Sequence, residues 1–121
     1  MKYVAVVGSR SISDREFVFK TLDYYLQNIE ENICLVSGGA TGVDKLCREY
    51  WKERPNLEMI EFLPDYKNNP PKLAPLLRNT QIVDASDYLI AITTGSNGTA
   101  DSISKAKKKG IPIRIIKYEK T

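Results

Sequence analysis

The feature that most constrains this chain is a repeated unit. A short, almost wholly apolar run ends in a glycine-bearing turn and is followed by an amphipathic stretch. Tyr3 to Val7 runs into Gly8-Ser9-Arg10, and Ile33 to Val36 into Ser37-Gly38-Gly39-Ala40-Thr41-Gly42. Asp87 to Ile92 runs into the Thr93 to Asn97 loop, after which Gly98-Thr99 opens a helix. Apolar runs without alternation suit strands covered on both faces. Two further strands, Leu57 to Phe62 and Ile113 to Tyr118, are interrupted by Glu58 and Glu61 and by Arg114 and Lys117, which suits sheet edges.

The stretches between the strands read as helices. Ser13-Asp14-Arg15-Glu16 has the form of a capping box, and Val18, Leu22, Tyr25, Leu26 and Ile29 then share one face. The second helix carries Val43, Leu46, Cys47, Tyr50 and Trp51 on one face, with Pro55 beyond it. The third is expected to turn Leu73, Leu76, Leu77 and Val83 inward, with Pro75 in its first turn. The fourth turns Ile103 and Ala106 inward and stops at Gly110, ahead of Pro112.

Strands alternating with helices specify a parallel α/β sheet in a three-layer arrangement. Apolar strands belong in the centre and interrupted ones at the edges, so the expected five-stranded order is 3-2-1-4-5. That order makes a topological switch point between strands one and four, where open α/β sheets bind ligands above the carboxyl ends of the strands. A length of 121 residues suits a single domain spanning 1–121.

Composition narrows the chemistry. The chain has no histidine, which removes Ser-His-Asp and Cys-His nucleophile systems and His-ligated metals. Cys34 and Cys47 are the only cysteines and read as buried thiols, so neither a metal site nor a cofactor is expected. No apolar run approaches a membrane span, and Lys2-Tyr3 leads straight into the first strand, so a cytoplasmic location with no membrane partner is expected. The formal charge of +3 suits an anionic small ligand without demanding nucleic acid.

Three turns therefore converge at one sheet edge. The expected phosphate- or ligand-binding set is Gly8, Ser9, Arg10, Ser37, Gly38, Gly39, Asp44, Arg78, Asn79, Gly95, Ser96, Asn97, Gly98 and Thr99. Glycines let backbone N–H groups approach a phosphate. Helix N-termini add free donors and partial positive charge, and Arg10 and Arg78 add a charged fork. Arg78 is alternatively a partner for Asp84 or Asp87. Asp44 is equally readable as an acid favoured in a first helical turn. Tyr66, after strand three, is placed to stack on a base or to pack over the sheet edge. Neither a P-loop nor a G-x-G-x-x-G dinucleotide fingerprint is present. Lys105, Lys107, Lys108 and Lys109 read as a solvated helix end that complements the dipole. Tyr24, Tyr25, Tyr50 and Trp51 read as core or as a dimer surface.

Gly8-Ser9-Arg10, Ser37-Gly38-Gly39-Ala40, Gly42-Val43-Asp44, Arg78-Asn79, Asp87 and Ser96-Asn97-Gly98-Thr99 occur in the order in which similar segments occur in the YspA-like branch of the SLOG superfamily. The resemblance runs from strand one to strand five. It implies a Rossmann-like fold, often a homodimer, that binds nucleotides or nucleotide-derived small molecules. The superfamily also holds the Lonely Guy phosphoribohydrolases, whose G-G-x-G-T-x-x-E segment ends in a catalytic Glu. The equivalent position here is Ser102, which cannot act as a carboxylate base. Asp101 lies about 100° around the helix from it. The superfamily's DprA proteins bind single-stranded DNA.

Three readings follow. The first is a binding module for a nucleotide-derived small molecule. The second is an enzyme acting on the N-glycosidic bond of a nucleoside monophosphate, with Asp44 or Asp101 as its acid. The third, ranked last, is DprA-like nucleic-acid binding through the lysine-rich helix.

Overall fold

A computed structural model describes residues 1–119. The strands are β1 (Lys2–Gly8), β2 (Ile33–Ser37), β3 (Glu58–Glu61), β4 (Tyr88–Thr93) and β5 (Ile113–Lys117). The helices are α1 (Arg15–Leu26), α2 (Val43–Lys52), α3 (Ala74–Asp84) and α4 (Asn97–Lys109). All four strand pairings are parallel and the order is β3-β2-β1-β4-β5, as the distribution of apolar and charged residues requires.

Alternation along each strand divides the core in two. Val4 and Val6 face α1 and α2, together with Leu35, Ile90 and Ile92. Ala5 and Val7 face the other way, with Val36, Leu89 and Ala91, onto Ile82 and Val83 of α3 and Ala106 of α4. The chain moves outward from β1 to β3, then passes back over β1 to β4 and β5. A fixed crossover hand puts the helices of those two journeys on opposite faces. Each wholly buried Leu, Ile or Val contributes about 1.5–3 kcal/mol, and Leu22, Leu35, Ile90 and Ile92 have no exposed surface. Cys34 and Cys47 are buried free thiols, and burial pushes both above the ordinary thiol range. No helix among the described residues is long and apolar enough to cross a membrane.

Local expectations fail in three places. The cap of α1 is Asp14, not Ser13: its carboxylate accepts from the Phe17 N–H at 3.0 Å, and Glu16 pairs outward with Lys20. Two adjacent cap formers compete here, and the ionised one at the helix's positive end wins. In α3, Leu73, Leu76 and Leu77 are each about 42% exposed, against expectation, while Ala74, Asn79, Ile82 and Val83 are buried. That helix is rotated so that Arg78 and Asn79 turn toward the sheet edge, which carries the leucines outward. Finally, two lysines of α4 are not merely solvated. Lys109 Nζ donates to the carbonyls of Val83, Asp84 and Ser86, closing the C-terminal end of α3. Lys105 Nζ donates to the Leu76 carbonyl.

Candidate functional site

The loops after β1, β2 and β4 are locked together by their backbones. Ser9 N–H donates to the Ile92 carbonyl at 3.1 Å, and Val43 N–H to the Ser9 carbonyl at 3.3 Å. Gly8 lies against the Ile92 carbonyl and the Val43 side chain, with no room for a Cβ. Gly42, the residue before α2, has φ 71° and is pressed against the Ser9 and Arg10 backbones. Glycine is required there by both conformation and space.

Ser9 is the side-chain hub of this junction. It is 1% exposed. Its hydroxyl accepts from the Thr94 N–H at 2.9 Å and the Thr94 hydroxyl at 3.1 Å, and donates to Ser96 Oγ at 3.1 Å. Ser96 Oγ and Thr99 Oγ1 lie 2.9 Å apart. One donor and two acceptors exhaust a hydroxyl, so Ser9 holds the β4–α4 loop in place.

A second network crosses from the β2 loop to α4. Arg78 Nη1 donates to the Gly38 carbonyl at 2.5 Å and Nε to Asn79 Oδ1 at 3.1 Å. Arg78 thus pairs with neither Asp84 nor Asp87; Asp87 instead accepts from the Tyr3 N–H. Asn79 Nδ2 donates to Asp101 Oδ2 at 3.1 Å and to the Gly98 carbonyl at 3.4 Å. Lys105 Nζ reaches the same Asp101 oxygen at 2.7 Å. Asp101 is therefore paired and hydrogen-bonded, with its charge already neutralised by Lys105. Asp44 is different. It is buried, and one carboxylate oxygen accepts from the Ala40 N–H at 3.1 Å, which braces the glycine-rich loop. Burial raises its pKa, against the lowering effects of that hydrogen bond, of Arg78 and of the nearby Ser37 hydroxyl. Ser37 Oγ is buried without a hydrogen bond of good geometry, so its influence on Asp44 is one of proximity.

Above these networks lies a cleft of about 600 Å³. Of the expected residues, Gly8, Arg10, Gly38, Gly39, Asp44, Arg78, Asn79, Ser96, Asn97, Gly98 and Thr99 line it. Ser9, Ser37 and Gly95 lie off its wall, as does Asp101. Three helices begin at this wall without a side-chain cap: α2 after Gly42, α3 after Leu73, where the Ala74 N–H is taken by the Pro70 carbonyl, and α4 after Ser96, whose hydroxyl is used by Ser9 and Thr99. At α2 the Val43 N–H is already spent on the Ser9 carbonyl and Asp44 stands in the first turn, whereas α4 brings its first turn, Asn97 to Thr99, to the wall with its N–H groups and partial positive charge. Arg10 is exposed at its margin, and among the described residues its guanidinium is in no ion pair.

The expected set omitted most of the apolar side of the cleft, formed by Pro64, Pro75 and Leu76 over Val7 and Ile82, with Tyr66, already singled out after strand three, beside them. The signal for Pro64 and Tyr66 was topological. A loop after β3 emerges at the same edge as the loop after β2, whatever its composition. Ala40 and Thr41 of the glycine-rich loop and Ser102 of α4 also reach the wall.

The model of the YspA, cpYpsA-related SLOG family matches residues 2–68, more than half of the chain. The chain belongs to this family. The matched part carries the Gly8–Arg10 turn, the Ser37–Asp44 loop and Tyr66. Arg78 and the Ser96–Thr99 segment lie beyond it. Gene 61 protein of Mycobacterium phage D29 is 31% identical over 119 residues, covering 93% of this chain and 94% of its own length. Among solved structures, DNA processing protein A of Helicobacter pylori, described with a single-stranded DNA binding mode, is similar with a TM-score of 0.73 at 21% identity over 94% of this chain. DNA processing protein A (DprA) of Streptococcus pneumoniae is similar with a TM-score of 0.78 at 20% identity over 98% of this chain. This SLOG-family chain spans 64% and 51% of those two chains, and at such identities the likeness is one of fold.

Proposed function

We propose that this chain is a binding module for a nucleotide or nucleotide-derived small molecule, held at the carboxyl edge of the sheet. The observation that carries the reading is the uncapped N-terminus of α4 opening on the cleft beside Arg10. Free N–H donors, a dipole end and an unpaired guanidinium form a receptor for a phosphate. The family to which the chain belongs supports the same reading.

A glycosidic-bond enzyme is the second reading, and it rests on Asp44. Asp101 is held by Lys105 and Asn79, and the position of the Lonely Guy glutamate is Ser102. A raised carboxyl at the cleft wall is the remaining candidate for a general acid. For nucleic acid, the structural neighbours supply a precedent, but Lys107 and Lys108 lie at the end of α4 away from the cleft, and Lys105 and Lys109 are engaged by α3.

Equilibrium dialysis against a mixed nucleotide pool, read by mass spectrometry, tests the three together. Selective retention of an intact nucleotide, weakened at least tenfold by Arg10→Ala, is the expected result. Release of free base and sugar phosphate favours the enzyme. Retention of nothing but oligonucleotides, with a steep salt dependence, overturns the small-molecule reading.

A further inference from the structure

Resting on that reading, we infer that the far end of the cleft is a stacking subsite, in which Tyr66 receives a planar ring of the ligand. The site then takes nucleoside phosphates in preference to bare sugar phosphates.

The first observation is a division of the cleft by chemistry. The start of α4 and Arg10 belong to the loops after β4 and β1, while Pro64 and Tyr66 belong to the loop after β3, with Pro75 and Leu76 of α3 completing an apolar wall. The loop after β4 and the loop after β3 are separated by three strand spacings, about 14 Å. A phosphate seated at the start of α4 leaves the apolar wall for the rest of the molecule.

The second observation is how Tyr66 is presented. Asp65 organises its own loop: its carboxylate accepts from the backbone N–H groups of Lys67 and Asn68, both at 3.2 Å, and from Asn68 Nδ2 at 2.9 Å. Its carbonyl accepts from Asn69 Nδ2 at 3.2 Å. These bonds hold the Asp65 carboxyl below its ordinary range. The loop is therefore built without the Tyr66 side chain. The ring is 58% exposed, is in no aromatic pair among the described residues, and lines the cleft mouth. A ring held out by a self-supporting loop, facing prolines and a leucine, is a surface for another flat apolar group.

The third observation concerns specificity. Pro64, Pro75 and Leu76 carry no polar side-chain atom, so at Tyr66 a base meets mainly apolar surface and its edges are little read. The subsite selects by stacking area: purines above pyrimidines, with adenine and guanine nearly equal.

Titration calorimetry with AMP, GMP, CMP and ribose 5-phosphate, on the intact chain and on Tyr66→Ala and Tyr66→Phe, tests this. AMP is expected to bind about tenfold or more tighter than ribose 5-phosphate, with GMP within about threefold of AMP and CMP weaker. Tyr66→Phe keeps the preference for AMP over ribose 5-phosphate, and Tyr66→Ala brings the ratio close to one. Circular dichroism confirms that both variants fold. Ribose 5-phosphate binding as tightly as AMP, or a preference that survives Tyr66→Ala, overturns the subsite and leaves the phosphate reading standing. Binding of none of the four compounds overturns both.

Discussion

Helices α1, α2 and α4 all begin at the carboxyl edge of the same sheet, yet their first turns are treated in opposite ways. The start of α1 is closed: Asp14 satisfies the Phe17 N–H and brings a negative charge to the positive end, and its other oxygen accepts from the Tyr118 hydroxyl. The start of α4 is open, and that of α2 lacks a side-chain cap, although its Val43 N–H is spent on the Ser9 carbonyl and Asp44 stands in its first turn. Gly42 has no side chain to offer, and the Ser96 hydroxyl is spent on its neighbours. A free N-terminus costs about 1 kcal/mol of helix stability relative to a capped one. The cost is incurred at helices that border the cleft and avoided at α1, which does not; α3 borders it as well, with its first N–H groups taken by the Pro70 carbonyl. Under the proposed function, the contrast separates a terminus that stabilises the fold from one kept available for an anion.

Substitutions that cross that boundary test the contrast. The largest effect is expected from Gly42→Ala. Strain at φ 71° and overlap with the Ser9 and Arg10 backbones should cost about 3 kcal/mol or more. A melting point about 10 °C lower in calorimetry would register it, with nucleotide binding abolished because α2 and the β1 turn part company.

Ser96→Asp is next, and it makes the start of α4 resemble that of α1. Stability should rise by up to about 1 kcal/mol, while affinity for a phosphate falls roughly thirtyfold as the negative charge occupies the terminus. Denaturation and binding measured on the same sample should move in opposite directions; a parallel change would mean that the terminus is not where the anion sits. Asp14→Ala is the converse. Urea denaturation should show a loss of about 1 kcal/mol, with nucleotide affinity kept within about twofold.

The smallest effect sharpens the reading of Asp44. Its folded pKa is raised, so the folded state holds that proton more tightly than the unfolded chain does. Stability from this group is full below the ordinary carboxylate value of about 4 and declines as pH rises toward the raised one. Asp44→Asn, which keeps an acceptor for the Ala40 N–H, should flatten that decline in denaturation curves collected from pH 4 to 7.5. The same variant should bind a nucleotide at least as tightly near neutral pH. A loss of nucleotide turnover in it would instead favour the enzyme.

The sheet order was readable because burial on both faces and burial on one leave different marks: Val4 to Val7 against Glu58 and Glu61. Two of the cleft's glycine turns were readable because close backbone approach demands that residue type, at Gly8 and at Gly42. What could not be read were side-chain partnerships between distant segments. Ser9 looks like a phosphate ligand until Thr94 and Ser96 are seen to exhaust its hydroxyl. Asp101 looks available until Asn79, more than a helix away, is seen to hold it with Lys105. Ser13 and Asp14 are both competent caps, and local pattern alone does not choose between neighbours. The outward leucines of α3 follow from the rotation that brings Arg78 and Asn79 to the edge, which depends on polar contacts rather than apolar periodicity.

The Ser9 hydroxyl joins positions 85 residues apart in the chain, through Thr94. Contacts of such separation form only after the entropy of closing a long loop has been met, and topologies rich in them fold slowly. On a ribosome, the first three strands and two helices emerge well before the segment that closes the cleft. On the proposed function, ligand capture would be reserved for the finished chain, and occupancy of the cleft would report that β4 has entered the sheet between β1 and β5.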